Sequence, residues 1–282
     1  MTRVLVIGAA GNTGRPIAEG LTAEGLTVRT ATRGTRPPVS AAEHVRFDWA
    51  DPSTHGAALE GVDRMYVLAP ALVEDPSALM LPVLERAFAG GVRRVVLLSA
   101  SAVAEGGPGL GQVHHLLRTQ APEWCVLQPS WFMQNFTDPR HHWAAGLQRD
   151  GTLTTATGDG RVGFVDAADI AAVGVRALAD DVSHDTAHVI TGPQALSYDD
   201  VAAHLSRVWN RPIRHVHASP EEARRHLRDG GMPDTYARLL TMLDGLIRDG
   251  AEDRVTDTVL RVTGRAPRDF GSFVRAHASV WR

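Results

Sequence analysis

The sequence predicts an α/β protein built on a doubly wound parallel sheet, and three observations carry that expectation. Short apolar runs alternate with amphipathic segments along the first 130 residues, the first run ends in glycines spaced three apart, and later segments read mostly as helix. A domain over residues 1–150 and a smaller, mostly helical C-terminal lobe over 151–282 follow, the two interleaved because a strand pattern near 187–192 is placed to return to the main sheet.

Each element has its own signature. "RVLVIG" (3–8), "TVRTATR" (27–33), "HVRF" (44–47), "RMYVLA" (64–69), "RRVVLLSA" (93–100) and "WCVLQ" (124–128) read as strands. Between them, Ile17, Ala18 and Leu21 line one helical face and Leu79, Val83, Leu84 and Ala87 another. "AHVITG" (187–192) reads as a further strand, and Ser197 with Asp200 opens a helix in the manner of a capping box.

Composition excludes several classes. A net charge of −3 over 282 residues has no basic excess for nucleic acid, and the run Arg224, Arg225 and Arg228 reads as a solvated helix face. No apolar run approaches the ~18 residues of a membrane span and the chain enters a strand pattern at once, so the expected setting is the cytoplasm. The expected partner is a small molecule, with neither nucleic acid nor membrane, and the chain a monomer or homodimer. The single cysteine, Cys125, excludes an internal disulfide and reads as a buried strand residue. All 29 basic residues are arginine, so no lysine can form a Schiff base, hold a phosphate or lower a tyrosine pKa. The histidine pairs 114–115 and 141–142 lack chelating spacing, and no metal is expected.

Gly8, Gly11 and Gly14 form G-x-x-G-x-x-G between a strand and a helix with Pro16 in its first turn. Small residues there let a backbone approach a pyrophosphate at a helix N-terminus, and Asn12 and Thr13 add side-chain donors. This is a Rossmann-type dinucleotide turn. Where an acid would bind a ribose 2′-hydroxyl the second strand ends in Arg33, followed by Arg36, with no carboxylate between Glu24 and Glu43, which favours NADP over NAD. Asp48 is placed for the adenine amino group, with Trp49 beside it, and Ala69, Pro70 and Ser99 end the fourth and fifth strands at the rim of the crevice.

With "GAAGNTG", "TRG", "FDWADPST", "AFAGGVRRVVLLSASA", "EWCVLQPSWFMQNF", "GDGRVGFVDAADIAA" and "ITGPQALSYDDVA" in place, the chain resembles the NmrA-like atypical short-chain dehydrogenases, and within them the ergot-alkaloid reductases. The resemblance implies an NADPH-dependent oxidoreductase, in a branch that holds reductases of imines, quinones and alkenes as well as non-enzymatic NADP-sensing regulators. Two departures stand out: Gln128 replaces the arginine of Leu-Arg-Pro near the expected nicotinamide ribose, and Leu110 and His114 occupy positions that often carry a histidine or lysine and a glutamate.

The chemistry left over is limited. Tyr66, Tyr198 and Tyr236 all lack the following lysine of Tyr-x-x-x-Lys, which disfavours simple ketone reduction. An iminium already carries the charge that makes it a hydride acceptor, so positioning alone can serve it. Trp131, Phe132 and Phe136 are the expected aromatic wall, with Met133 alongside and Tyr236 grouped with them. For substrates that need a proton, the candidates are Ser99, Ser101, His114 and His115.

Overall fold

The computed structural model describes residues 2–40, 42–71, 73 and 75–280. In chain order its elements are β1 (Arg3–Ile7), α1 (Gly14–Ala23), β2 (Thr27–Thr32), β3 (Glu43–Arg46), α2 (His55–Leu59), β4 (Arg64–Leu68), α3 (Ser77–Ala89), β5 (Arg94–Leu98), α4 (Leu110–Gln120), β6 (Glu123–Pro129), α5 (Ala144–Arg149), β7 (Thr152–Thr155), β8 (Arg161–Val162), α6 (Ala167–Ala179), β9 (Thr186–Ile190), β10 (Leu196–Ser197), α7 (Tyr198–Trp209), β11 (Arg214–His217), α8 (Pro220–Asp229), α9 (Asp234–Arg248), α10 (Thr258–Thr263) and α11 (Phe270–Ala276). No helix among the described residues is long and apolar enough to cross a membrane.

The contacts divide the chain into two units, and the division differs from a cut at residue 150. The first unit is Met1–Pro129 with Ala167–Ile190 and Thr258–Arg265; the second takes Ser130–Asp166, Thr191–Asp257 and Ala266–Arg282. The difference has a physical cause: the sheet ends its contiguous run at Pro129, then recovers a strand and two helices from later in the chain.

In the first unit the strands pair in the order β3-β2-β1-β4-β5-β6-β9, every pairing parallel. The central strands β1, β4 and β5 are short, apolar and buried on both faces, as a sheet covered by helices on both sides requires, while the edge strand β3 has no buried residue. On one side Ile17, Ala18 and Leu21 of α1 are fully buried. Helix α6 crosses α1 at glycines: a Cβ on Gly20 would stand 2.7 Å from Val175, and one on Gly174 2.9 Å from Ile17. Arg94, 1% exposed, reaches from β5 to the carbonyl oxygens of Ala177 and Asp180 at the end of α6 and to the Glu123 carboxylate, so its buried charge is matched by a helix C-terminus and an anion.

The second unit is built on two short strand pairs, β7 with β11 in parallel and β8 with β10 antiparallel, together with α5, α7, α8, α9 and α11. Its core is aromatic, with Phe136, Phe164, Tyr198, Phe270 and Phe273 all nearly inaccessible. Ser197 and Asp200 form the expected capping box, the Asp200 N–H donating to Ser197 Oγ at 3.1 Å and the Ser197 N–H to Asp200 Oδ2 at 3.0 Å. Ser219 and Glu222 repeat the device at the start of α8.

Candidate functional site

The glycine turn is shaped by close backbone approach. Gly8 has φ +70°, and a Cβ there would stand 2.5 Å from a Leu68 methyl; a Cβ on Gly14 would stand 2.4 Å from the Gly8 carbonyl oxygen. The Gly8 N–H donates to Ala31 O (3.0 Å) and the Gly11 N–H to Gly8 O (2.9 Å), closing the turn directly onto α1. The first N–H groups of a helix have no partner within it, so a cradle that bare backbone alone can form sits at a positive helix end, and this fits a dinucleotide pyrophosphate. Asn12 is exposed at this end. Thr13 departs from its expected role: its hydroxyl is buried and bonded to the Tyr66 phenol at 2.8 Å, so it braces the turn from below and offers only backbone to a ligand.

Register aligns the rim. Leu68 pairs with Leu98 and Leu98 with Leu127, which sets Ala69, Ser99 and Gln128 at one level beyond the carboxyl ends of the strands, with half-buried Pro70 next in line. Arg33 and Arg36 are exposed just past β2, and neither makes an ion pair among the described residues. Asp48 is half-buried, and its Oδ1 accepts from the Ala50 N–H at 3.0 Å. Trp49 is 7% exposed and packs edge-on to Phe47, ring centres 5.0 Å apart, so it is mainly a core residue of this unit and not an open wall.

The polar candidates behave differently from one another. Ser99 is buried, its N–H donates to Leu127 O (2.8 Å), and its Oγ has no partner among the described residues. Ser101 is half-buried, with its N–H on Pro129 O at 2.9 Å. Gln128 donates its side-chain amide to Val103 O at 2.7 Å, tying down the loop after β5, so this amide is spent on the protein and not on a ribose. His114 does not reach the rim. Its ring packs 5.6 Å from that of Trp124, at the amino end of β6, some five residues or about 17 Å of strand below Pro129. Burial holds its pKa below the usual imidazole value. His115 faces outward, paired with Glu105 at 3.2 Å.

In the second unit Trp131 lines a cavity of about 70 Å³ together with Asn135, His141, His142, Trp143, Thr154, Ala223, Leu227, Leu240, Leu243 and Asp244. The other expected wall residues are elsewhere. Phe136 is fully buried, stacked on Trp143 at 5.0 Å and edge-on to Phe164 and Phe270, and belongs to the core. Phe132 makes a β-bridge to Val165. Tyr236 is 38% exposed, on the outer stripe of α9 with Leu239 and Met242. Position in the chain places a residue near a strand end; it does not say which way the side chain turns.

Comparison with known proteins bears on what this geometry serves. Residues 8–181 match the family model described as NAD(P)H-binding. The chain belongs to the NAD(P)H-binding family. It is 45% identical over 278 residues to an uncharacterized oxidoreductase, YesF, of Bacillus subtilis (strain 168), covering 99% of this chain and 96% of that one. It is 35% identical to agroclavine dehydrogenase of Claviceps fusiformis over 99% and 98% of the two chains. In fold it is similar to Citrobacter sp. triphenylmethane reductase complexed with NADP(H), with a TM-score of 0.83 and 18% identity over 97% and 99% of the chains.

As an NAD(P)H-dependent oxidoreductase of NmrA-like type, the protein has no phenol–ammonium pair. Tyr66 and Tyr198 are fully buried and burial drives both phenols far above their usual pKa, while Tyr236 stands on an exposed helix face. The chain contains no lysine to assist any of them. Asp244 has no place in the sequence reading, and His141 and His142 enter it only as a pair without chelating spacing, yet all three line the second-unit cavity. Desolvation lowers the His141 and His142 pKa values to about 4 and about 3 and raises that of Asp244 to about 6. A signal for Asp244 does exist: Ala237, Leu240, Leu243 and Ile247 repeat at helical spacing, and the acid interrupts their stripe.

Proposed function

We propose that this oxidoreductase uses NADPH to reduce an iminium, or another activated double bond, of a small apolar metabolite. The observation that carries the reading is the state of the tyrosines: the one nearest the glycine turn, Tyr66, is sealed in the core and spends its hydroxyl on Thr13. Among the described residues no tyrosine is placed to donate a proton in the cofactor crevice, and an iminium is the acceptor that needs no donor. The 35% identity to a protein named agroclavine dehydrogenase supports the same direction.

The residues divide the work. Gly8, Gly11 and Gly14 with the α1 N-terminus seat the pyrophosphate, and exposed Arg33 and Arg36 meet a 2′-phosphate that a carboxylate would repel. NADPH, when bound, supplies the hydride. Ser99, whose buried Oγ has no partner among the described residues, orients the reacting end of the crevice. Positioning of this kind contributes about 7–11 kcal/mol without an acid or base. The test is NADPH oxidation screened over cyclic iminium salts, quinones and enones. Turnover of the iminium class is expected; turnover confined to quinones or enones would overturn the choice of substrate.

A further inference from the structure

The second-unit cavity holds one feature that its core function does not explain. Asp244, on the inner side of α9, lines a space whose apolar wall is Ala223, Leu227, Leu240, Leu243 and the indoles of Trp131 and Trp143, and whose polar wall is Asn135, Thr154, His141 and His142. Among the described residues its one hydrogen bond is from the Ala156 N–H to Oδ2, at 2.8 Å, and no arginine or histidine lies within ion-pair distance of it. That bond ties α9 to the end of β7, but an amide oxygen would accept it as well; the negative charge itself, withdrawn from water with no ion-pair partner among the described residues, is costly and is not needed for it.

We propose that Asp244 and Trp131 form a recognition site for a positively charged nitrogen, the alkylammonium or N-alkyl iminium head of the substrate. The inference rests on the reductase reading above and names the charge its substrate carries. The carboxylate supplies the counter-ion and the half-buried Trp131 supplies a ring face, a pairing that prefers a compact desolvated cation over a neutral group of the same size. The Trp143 stack on Phe136 covers one face of that indole, and its Nε1 is buried without a partner among the described residues. A volume of about 70 Å³ takes a head group of about two water-sized pieces, so the bulk of a ligand lies outside it.

The charges around the site leave room for the guest. His141 and His142, on the segment before α5, are held neutral by burial, and the His141 Nδ1 accepts from the Trp143 N–H at 3.4 Å. His226 on α8 acts on His142; Arg248, one turn beyond Asp244 on α9, favours the charged carboxylate from beyond ion-pair distance while contacting Asp249 at 3.6 Å and Ala156 O at 3.4 Å; and the buried Tyr198 phenol is held protonated in part by the Asp244 charge. Asp244 itself is ionised above about pH 6.

Dimethylammonium chloride is the probe, titrated by tryptophan fluorescence at constant ionic strength, with isopropanol as the neutral control. Asp244→Asn is the main variant, because its amide oxygen can still accept from Ala156, and Trp131→Phe the second. The wild type should bind the cation saturably and the alcohol not at all, binding should weaken as pH falls below about 6, and D244N should lose at least about tenfold in affinity with a Tm no lower than that of the wild type. W131F should lose less. With substrates, D244N should raise KM for iminium salts and leave kcat and the NADPH affinity unchanged. Equal cation binding by wild type and D244N, or no binding by either, overturns the site. If the cation binds through Asp244 but no iminium is turned over, the reductase reading fails and the site stands; if iminium salts are reduced with a KM that D244N does not alter, the site fails and the reading stands.

Discussion

The Thr13 hydroxyl and the Tyr66 phenol, both buried, meet at 2.8 Å between the start of α1 and the middle of β4. A hydrogen bond in that position ties the phosphate-binding turn to the neighbouring strand and removes the one strand tyrosine of this unit from proton chemistry. Tyr66→Phe should therefore cost about 1–3 kcal/mol of stability, since Thr13 loses a buried partner, and leave the pH dependence of turnover unchanged. Denaturant melts and a pH–rate profile check the two halves; a lost basic limb in the profile would make Tyr66 an acid after all.

Cofactor choice turns on Arg33. Calorimetric titration should show tighter binding of NADPH than of NADH, and Arg33→Asp should reverse the order. Gly14→Ala should weaken both cofactors by at least about tenfold, ~1.4 kcal/mol, because its Cβ would stand 2.4 Å from the Gly8 oxygen and the turn must open.

Proton donors should prove dispensable. Alanine at Ser99, Ser101 or His115 should slow single-turnover NADPH oxidation by about tenfold at most, where loss of a general acid costs about 10²–10⁴-fold. His114→Ala should act on stability, through the contact with Trp124, more than on rate. Trp131→Ala should be slower than any of them. A thousandfold loss at Ser99 would mean that the enzyme protonates its substrate.

Acid should unfold the protein early. His141 and His142 are held neutral by burial, with pKa values near 4 and 3 against the ordinary 6.5. Between those limits the unfolded chain binds protons that the folded one refuses, so stability falls as pH drops below about 6.5 and continues to fall toward 4, at up to about 1.4 kcal/mol per pH unit for each histidine. His142→Gln should flatten the decline of Tm across that window.

Much of the first unit was legible because its strands are punctuated by glycine and its helices carry one apolar face. The return of residues 186–190 to β6 was visible as an isolated apolar run; the boundary at Pro129 also had a mark, the end of the strand–helix alternation near residue 130, which a cut at 150 does not use. Side-chain direction was the recurrent failure. Thr13, Gln128, Phe136 and Tyr236 stand in the expected segments, but the first two turn to protein partners, the third into the core and the fourth to solvent. Asp244 was passed over because an acid on a helix reads as solvated unless the phase of its apolar neighbours is followed.

The place of β9 at the end of the sheet has a consequence for biosynthesis. Strand β6 leaves the ribosome complete at Pro129, but the strand that covers its outer edge begins only at Thr186. At about 5–20 residues per second the nascent chain carries an open edge of Cys125, Val126 and Leu127 for several seconds, with α6 not yet made to shield it. Such an edge pairs readily with another like itself. Chains arrested before residue 190 are therefore expected to aggregate more readily than those that have completed β9.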